Sequence, residues 1–276
     1  NKSASSGATS PYRNFFETYT ATTQQLFEEI QKKCKDKINA GAIFPHDILK
    51  SNIISHGWSF SIEPLTKAQQ VQWNNLPNYL ENFDGSILPV CDTSGSMMGL
   101  PIEICLSLGL YLSERNKGEF KDAFMTFSEK PQLQYLLGSI TDRLQQLANA
   151  DWGGNTNLTA VFTLILKRAL EERIPQSDMP KIILVISDME FDRCGDITNI
   201  DFIKSQYIAS GYEVPQIVFW NVNGRVGNVP VTINHDGVAL ISGASPSIVK
   251  SVLTGQINPM NIMNITINTE RYSFIQ

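Results

Sequence analysis

The sequence predicts an α/β fold, doubly wound around a mostly parallel sheet with one antiparallel edge strand, preceded by a mainly helical N-terminal extension. Three observations predict it. From Ser86 onward, apolar runs of strand length alternate with longer amphipathic stretches, as in repeated β-α-β units. The run Ile182 to Ile186 is apolar without interruption, which is how a strand covered on both faces reads. Polar, glycine-containing segments stand at strand ends and ahead of helices, where an open parallel sheet gathers its ligands.

Residues 1 to about 12 are rich in Ser and Gly and are expected to be disordered. Asn14 to Lys37 carries Phe15, Phe16, Tyr19, Leu26, Phe27 and Ile30 at roughly helical spacing. The lysines at its end, Lys32, Lys33, Lys35 and Lys37, are read as a solvated face. Pro45 begins a helix-compatible run, and Trp58 to Trp73 supplies turns and apolar anchors. Pro64, Trp73, Leu76, Pro77 and Tyr79 are expected to pin this extension onto the following domain by burying aromatic area.

The predicted strands are 86–91, 122–127, 181–186, 216–220 and 237–241, with helices at 101–116, 140–148, 157–172, 197–210 and 245–254. A short strand at 133–137, close behind Pro131, is predicted to be the antiparallel hairpin partner of the strand before it. The domain assignment is 1–82 for the extension, 83–256 for the α/β domain and 257–276 for a C-terminal helix and tail packed on it.

Composition narrows the function. The chain has 22 basic and 27 acidic residues, a formal charge of -5, in no long single-sign block, so bulk electrostatics favour neither nucleic acid nor an anionic membrane. No stretch approaches the ~20 apolar residues of a membrane span, and the opening residues lack the apolar core of a signal peptide. Cys34, Cys91, Cys105 and Cys194 show no metal or redox spacing. A reducing, cytoplasmic setting is therefore expected, with association to a virus left open. His46, His56 and His235 stand in unrelated contexts, so neither a zinc site nor an imidazole base is indicated.

The chemistry-bearing residues fall in three segments. Asp92, Ser94 and Ser96 follow the first strand on a loop that Gly95 lets turn sharply. Trp152-Gly153-Gly154-Asn155-Thr156 precedes a helix, and Asp188 ends the most apolar strand. Carboxylates and hydroxyls are the ligands a hard divalent cation prefers.

This pattern resembles the von Willebrand factor A family and its metal-ion-dependent adhesion site, a D-x-S-x-S loop, a Thr and an Asp carried on three loops. The matching residues are Asp92, Ser94 and Ser96, then Thr156, then Asp188. The resemblance implies one bound Mg²⁺, or Mn²⁺ or Ca²⁺. Ser94, Ser96 and Thr156 would touch it directly, and Asp92 and Asp188 directly or through water. It further implies an open coordination position for an acidic residue of a partner protein. Phe44-Pro45-His46-Asp47-Ile48, Trp152 to Thr156, Ser187 to Asp192 and Pro215 to Asn221 resemble a viral and plant branch of that family, related to the A-domain half of the Ro autoantigen.

Glu190 and Asp192 read equally well as an outer shell of the metal or as a solvated acidic loop. Trp152 and Asn155 are placed on the rim, where Trp152 serves either a partner or local packing. No nucleophile-and-base set and no nucleotide-binding loop is present, so the expected function is non-catalytic: metal-dependent protein interaction or assembly. A MoxR-like ATPase is one partner the resemblance suggests. The alternatives are an RNA-linked scaffold of Ro type, disfavoured by the acidic balance, and a metal-assisted phosphohydrolase.

Overall fold

The computed structural model describes residues 43–57, 59–81, 83–128, 130–150, 157–188, 200–223, 238–243, 260, 263, 264, 267 and 268. The predicted disordered start, the helical stretch at 14–37, the helix at 245–254 and most of the tail at 257–276 lie outside the described residues.

Pro45 opens α1 (Pro45–Leu49) at a position where its missing N–H costs nothing. The chain then forms β1 (Ile53–Ser55) and β2 (Phe60–Ile62), which pair antiparallel with Ile53 opposite Ile62 and Ser55 opposite Phe60. Sequence reasoning placed only turns here, in a mainly helical extension. Three-residue strands are too short to display a period of two, and the reversal between them depends on Gly57 at φ 75°. Next comes α2 (Lys67–Asn74), opened by a reciprocal cap. The Thr66 hydroxyl accepts the Gln69 N–H at 3.3 Å, and Gln69 Oε1 accepts the Thr66 N–H at 2.9 Å.

The α/β part runs β3 (Ser86–Cys91), α3 (Leu100–Arg115), β4 (Ala123–Thr126), β5 (Leu133–Tyr135), α4 (Ile140–Ala148), α5 (Leu158–Glu172), β6 (Pro180–Ser187), α6 (Ile200–Ala209), β7 (Gln216–Asn221) and β8 (Val238–Ser242). Each lies within a turn of its predicted span. The six strands form one sheet in the order β5-β4-β3-β6-β7-β8, which is the 3-2-1-4-5-6 order of a doubly wound fold. All neighbours pair in parallel except β5, which runs antiparallel along the edge of β4.

Alternation along the inner strands divides the apolar residues into two cores. Ile87, Cys91, Ile182, Leu184, Ile186, Val218 and Trp220 face one layer with α3 and α4. Leu88, Val90, Ile183, Val185, Ile217 and Phe219 face the other with α5 and α6.

Helix α3 is buried almost all round. A helix on the outside of a sheet normally shows a polar face to water, and α3 does not because residues 43–81 cover it. Phe44, Ile48, Leu49, Trp73, Leu76 and Leu80 join the same core. Trp73 Nε1 donates to Glu114 Oε2 at 2.7 Å, Arg115 Nη2 donates to the Trp73 carbonyl at 2.9 Å, and the guanidinium lies 4.2 Å from the centre of the Tyr111 ring. The Tyr111 hydroxyl in turn donates to the Pro77 carbonyl. Residues 43–81 thus belong to the same compact unit as the sheet.

α3 packs closely on β3 at Gly109, where a Cβ would lie 2.6 Å from Cys91 Sγ. Gly109→Ala, which would add about 1 kcal/mol in an exposed helix, is therefore expected to destabilise by about 1–3 kcal/mol. Adding Cys91→Ala removes the obstructing sulfur and should cancel most of that loss. Denaturant midpoints of the two single variants and the double variant measure this. Strictly additive effects would mean that the helix moves aside instead.

Candidate metal centre

β3 is buried along its whole length and hands the chain to Asp92 at its carboxyl end. The Asp92 N–H donates to the Ile186 carbonyl at 3.0 Å, extending the β3–β6 ladder one step beyond its last paired residues, Cys91 and Ile186. There the chain turns. Asp92 Oδ1 accepts the Ser94 N–H at 2.9 Å, an Asx-type turn that Asp supports through its short acceptor arm. A 3-10 turn at Gly95–Met97 follows, with the Ser94 and Ser96 hydroxyls 3.1 Å apart. Buried Met97 anchors this loop from below, and Gly99, at φ 90°, redirects the chain into α3.

On the neighbouring strand, β6 ends in Ser187 and passes to Asp188. Ser187 is fully buried, and its hydroxyl donates to Asp92 Oδ2 at 2.5 Å. Asp188 is 2% exposed, as is Asp92. Two carboxylates therefore sit at the ends of adjacent parallel strands, both withdrawn from water. Burial raises the Asp92 pKa above its ordinary value and the Asp188 charge adds to that rise, while the hydrogen bonds from Ser187 and Ser94 oppose it.

Two further groups frame the loop. The Cys105 thiol of α3 donates to the carbonyls of Asp92 and Ile186, at 3.5 and 3.7 Å, and so spans the point where β3 and β6 diverge. Burial pushes this thiol well above its ordinary pKa, with Cys91 and Asp92 adding to the rise, which keeps it in the protonated form that donates. On the other side the Phe127 N–H donates to the Cys91 carbonyl at 2.8 Å. Ser128 follows two residues beyond the end of β4. Ser128 Oγ is buried and has no hydrogen-bond partner among the described residues.

The structure thus brings Asp92, Ser94 and Ser96 onto one loop and Asp188 onto the next strand end. Thr156, Asn155 and Trp152 lie outside the described residues, as do Glu190 and Asp192. Asn157 caps α5 by accepting the Ala160 N–H at 2.8 Å. Among the described residues no cluster of three or more His, Cys, Asp or Glu side chains is arranged for a metal. The oxygens gathered here are two carboxylates and two hydroxyls, a different donor chemistry. Sequence reasoning gave no role to Ser187, Cys105 or Ser128. For Ser187 a signal was present: it is a hydroxyl that directly follows the apolar run Ile182 to Ile186.

Fold and site together define a doubly wound α/β domain with an oxygen-lined carboxyl edge. The chain belongs to the family described as a domain of unknown function (DUF7788), whose model matches residues 86–271. It is 27% identical over 268 residues to an uncharacterized protein of Acanthamoeba polyphaga mimivirus, covering 94% of this chain and 45% of that protein. The chain therefore spans less than half the length of this viral relative. Among solved structures it is similar to the Ro (RSR) protein of Deinococcus radiodurans at 16% identity and a TM-score of 0.49, covering 86% of this chain and 49% of that one. Among the described residues no helix is long and apolar enough to cross a membrane.

Asp92 holds its proton to a higher pH in the folded chain than in the unfolded one. Its contribution to stability is accordingly full at low pH and declines as pH rises from about 4 through the folded-state value. In metal-free protein, Asp92→Asn is expected to remove this downward component from the stability–pH profile. Urea unfolding at a series of pH values in the presence of a chelator would measure it. Parallel profiles for wild type and variant would mean that Asp92 titrates alike in both states.

Proposed function

We propose that this chain is a non-catalytic interaction module of von Willebrand factor A type that binds one divalent cation, Mg²⁺ or in its place Mn²⁺ or Ca²⁺, and uses it to engage a protein partner. The observation that carries this reading is the pair of buried carboxylates, Asp92 and Asp188, on adjacent strand ends, with the Ser94 and Ser96 hydroxyls 3.1 Å apart on the intervening loop. Asp188, of like sign, adds to the rise of the Asp92 pKa, and a cation bound between the two carboxylates would relieve that repulsion.

The donor set fits a hard cation. All four groups offer oxygen, two are carboxylates, and the unpartnered Ser128 Oγ adds a buried polar atom on the next loop. Asp92, Ser94, Ser96 and Asp188 would hold the ion, with Thr156 from the 152–156 segment completing the set. A bound cation would neutralise the two carboxylates and leave a coordination position for an acidic side chain of the partner. An assembly ATPase of MoxR type is one such partner. No observation on the described residues favours the RNA-scaffold or phosphohydrolase alternatives.

Calorimetric titration of Mg²⁺ and Mn²⁺ into metal-free protein tests this reading. One ion per chain is expected for the wild type. Asp92→Ala should abolish the heat, and Ser96→Ala should weaken binding by at least about tenfold, roughly 1.4 kcal/mol. Wild-type protein that takes up no ion at millimolar concentration would refute the proposal.

A further inference from the structure

We propose that Ser187 is a positioning residue for the cation site, fixing the Asp92 carboxylate across the gap between β3 and β6 without itself being a ligand. This inference rests on the metal-binding reading above.

Asp92 directly follows β3, joins the ladder through its N–H and opens the loop. Its backbone is held by β6 through the Ile186 carbonyl, but its side chain has two rotatable bonds and would sample several orientations if left to itself. Two hydrogen bonds remove that freedom, one on each oxygen. The Ser94 N–H holds Oδ1 at 2.9 Å from within the loop. The Ser187 hydroxyl holds Oδ2 at 2.5 Å from 95 residues further along the chain. The first contact moves with the loop. The second ties the carboxylate to the sheet.

Position explains why Ser187 can serve. β6 is buried on both faces and its register is fixed on both sides, against β3 through Cys91–Ile186 and against β7 through Ser187–Asn221. The Ser187 carbonyl also accepts the Val222 N–H at 3.1 Å. A hydroxyl mounted there has little room to move. A carboxylate offers about four acceptor directions, so these two bonds leave others to face a cation or its water. The bond is a short, charge-assisted type. Groups of this kind around a metal set the orientation of its ligands, and their loss typically weakens binding by 10–100-fold.

Mn²⁺ titrated into metal-free protein provides the test, for wild type, Asp92→Ala, Ser187→Ala, Ser187→Cys and Ser187→Thr, with thermal melting of each variant without metal. Ala and Cys are expected to lose about 10–100-fold in affinity, while Thr, which keeps the hydroxyl, should stay within about threefold of wild type. The Cys variant matches Ser closely in size, so it answers the question if Ala does not fold. A role confined to packing would lower melting temperatures without this dependence on the hydroxyl. Wild-type affinity in the Ala or Cys variant would overturn the inference, as would a loss shared fully by Thr. If Asp92→Ala loses the ion and Ser187→Ala keeps it, the metal site stands and only the role of Ser187 falls. If the wild type takes up no ion, both fall.

Discussion

The β3–β6 pairing, in register from Ile87–Ile182 to Cys91–Ile186, is the interaction on which the rest of the molecule depends. Both strands lie inside the sheet, with a core above and a core below. A strand in that position has no face on which to display a polar group cheaply. Its chemistry must be delivered past its end, and because the strands are parallel the two ends arrive together. Asp92 and Asp188 are neighbours for that reason, although they stand far apart in the chain. The same pairing supplies the Ile186 carbonyl, which receives both the Asp92 N–H and the Cys105 thiol.

Much of this organisation was legible in the sequence, and the reasons are specific. Uninterrupted apolar runs such as Ile182 to Ile186 mark strands with two covered faces, and β5 was identifiable as antiparallel because too few residues separate it from β4 for a crossover. Once the strands were delimited, the rule that ligands collect beyond carboxyl ends brought Asp188 and the 152–156 segment with Thr156 beside the loop of Asp92, Ser94 and Ser96. Other features were hidden for equally specific reasons. The hairpin of β1 and β2 is built from two three-residue segments, which carry no periodic signal. The largely covered α3 was also unreadable, since an apolar helix looks the same whether its second face meets another layer or a partner. The bond from Ser187 to Asp92 joins residues that only the β3–β6 register brings together.

The segment before the sheet has a definite structural part. Trp73 is fully buried, and hydrogen bonds link polar groups around it: indole to Glu114, Arg115 to the Trp73 carbonyl, Tyr111 to Pro77. Arg115 also lies over the Tyr111 ring, an arrangement that guanidinium groups form well because they are planar and weakly hydrated. Residues 43–81 therefore form one wall of the domain's larger core.

That wall has a consequence for motion. Helix α3 begins beside the Ser94–Met97 loop and ends at the Trp73 cluster, and its 16 residues make a rod of about 24 Å. The rod is gripped at both ends, by Met97 and the Cys105 thiol near the loop and by Arg115 and Tyr111 at the far end. It cannot slide along its axis without disturbing both. The cluster around Trp73 and the loop at the carboxyl edge are thereby joined by one continuous helix.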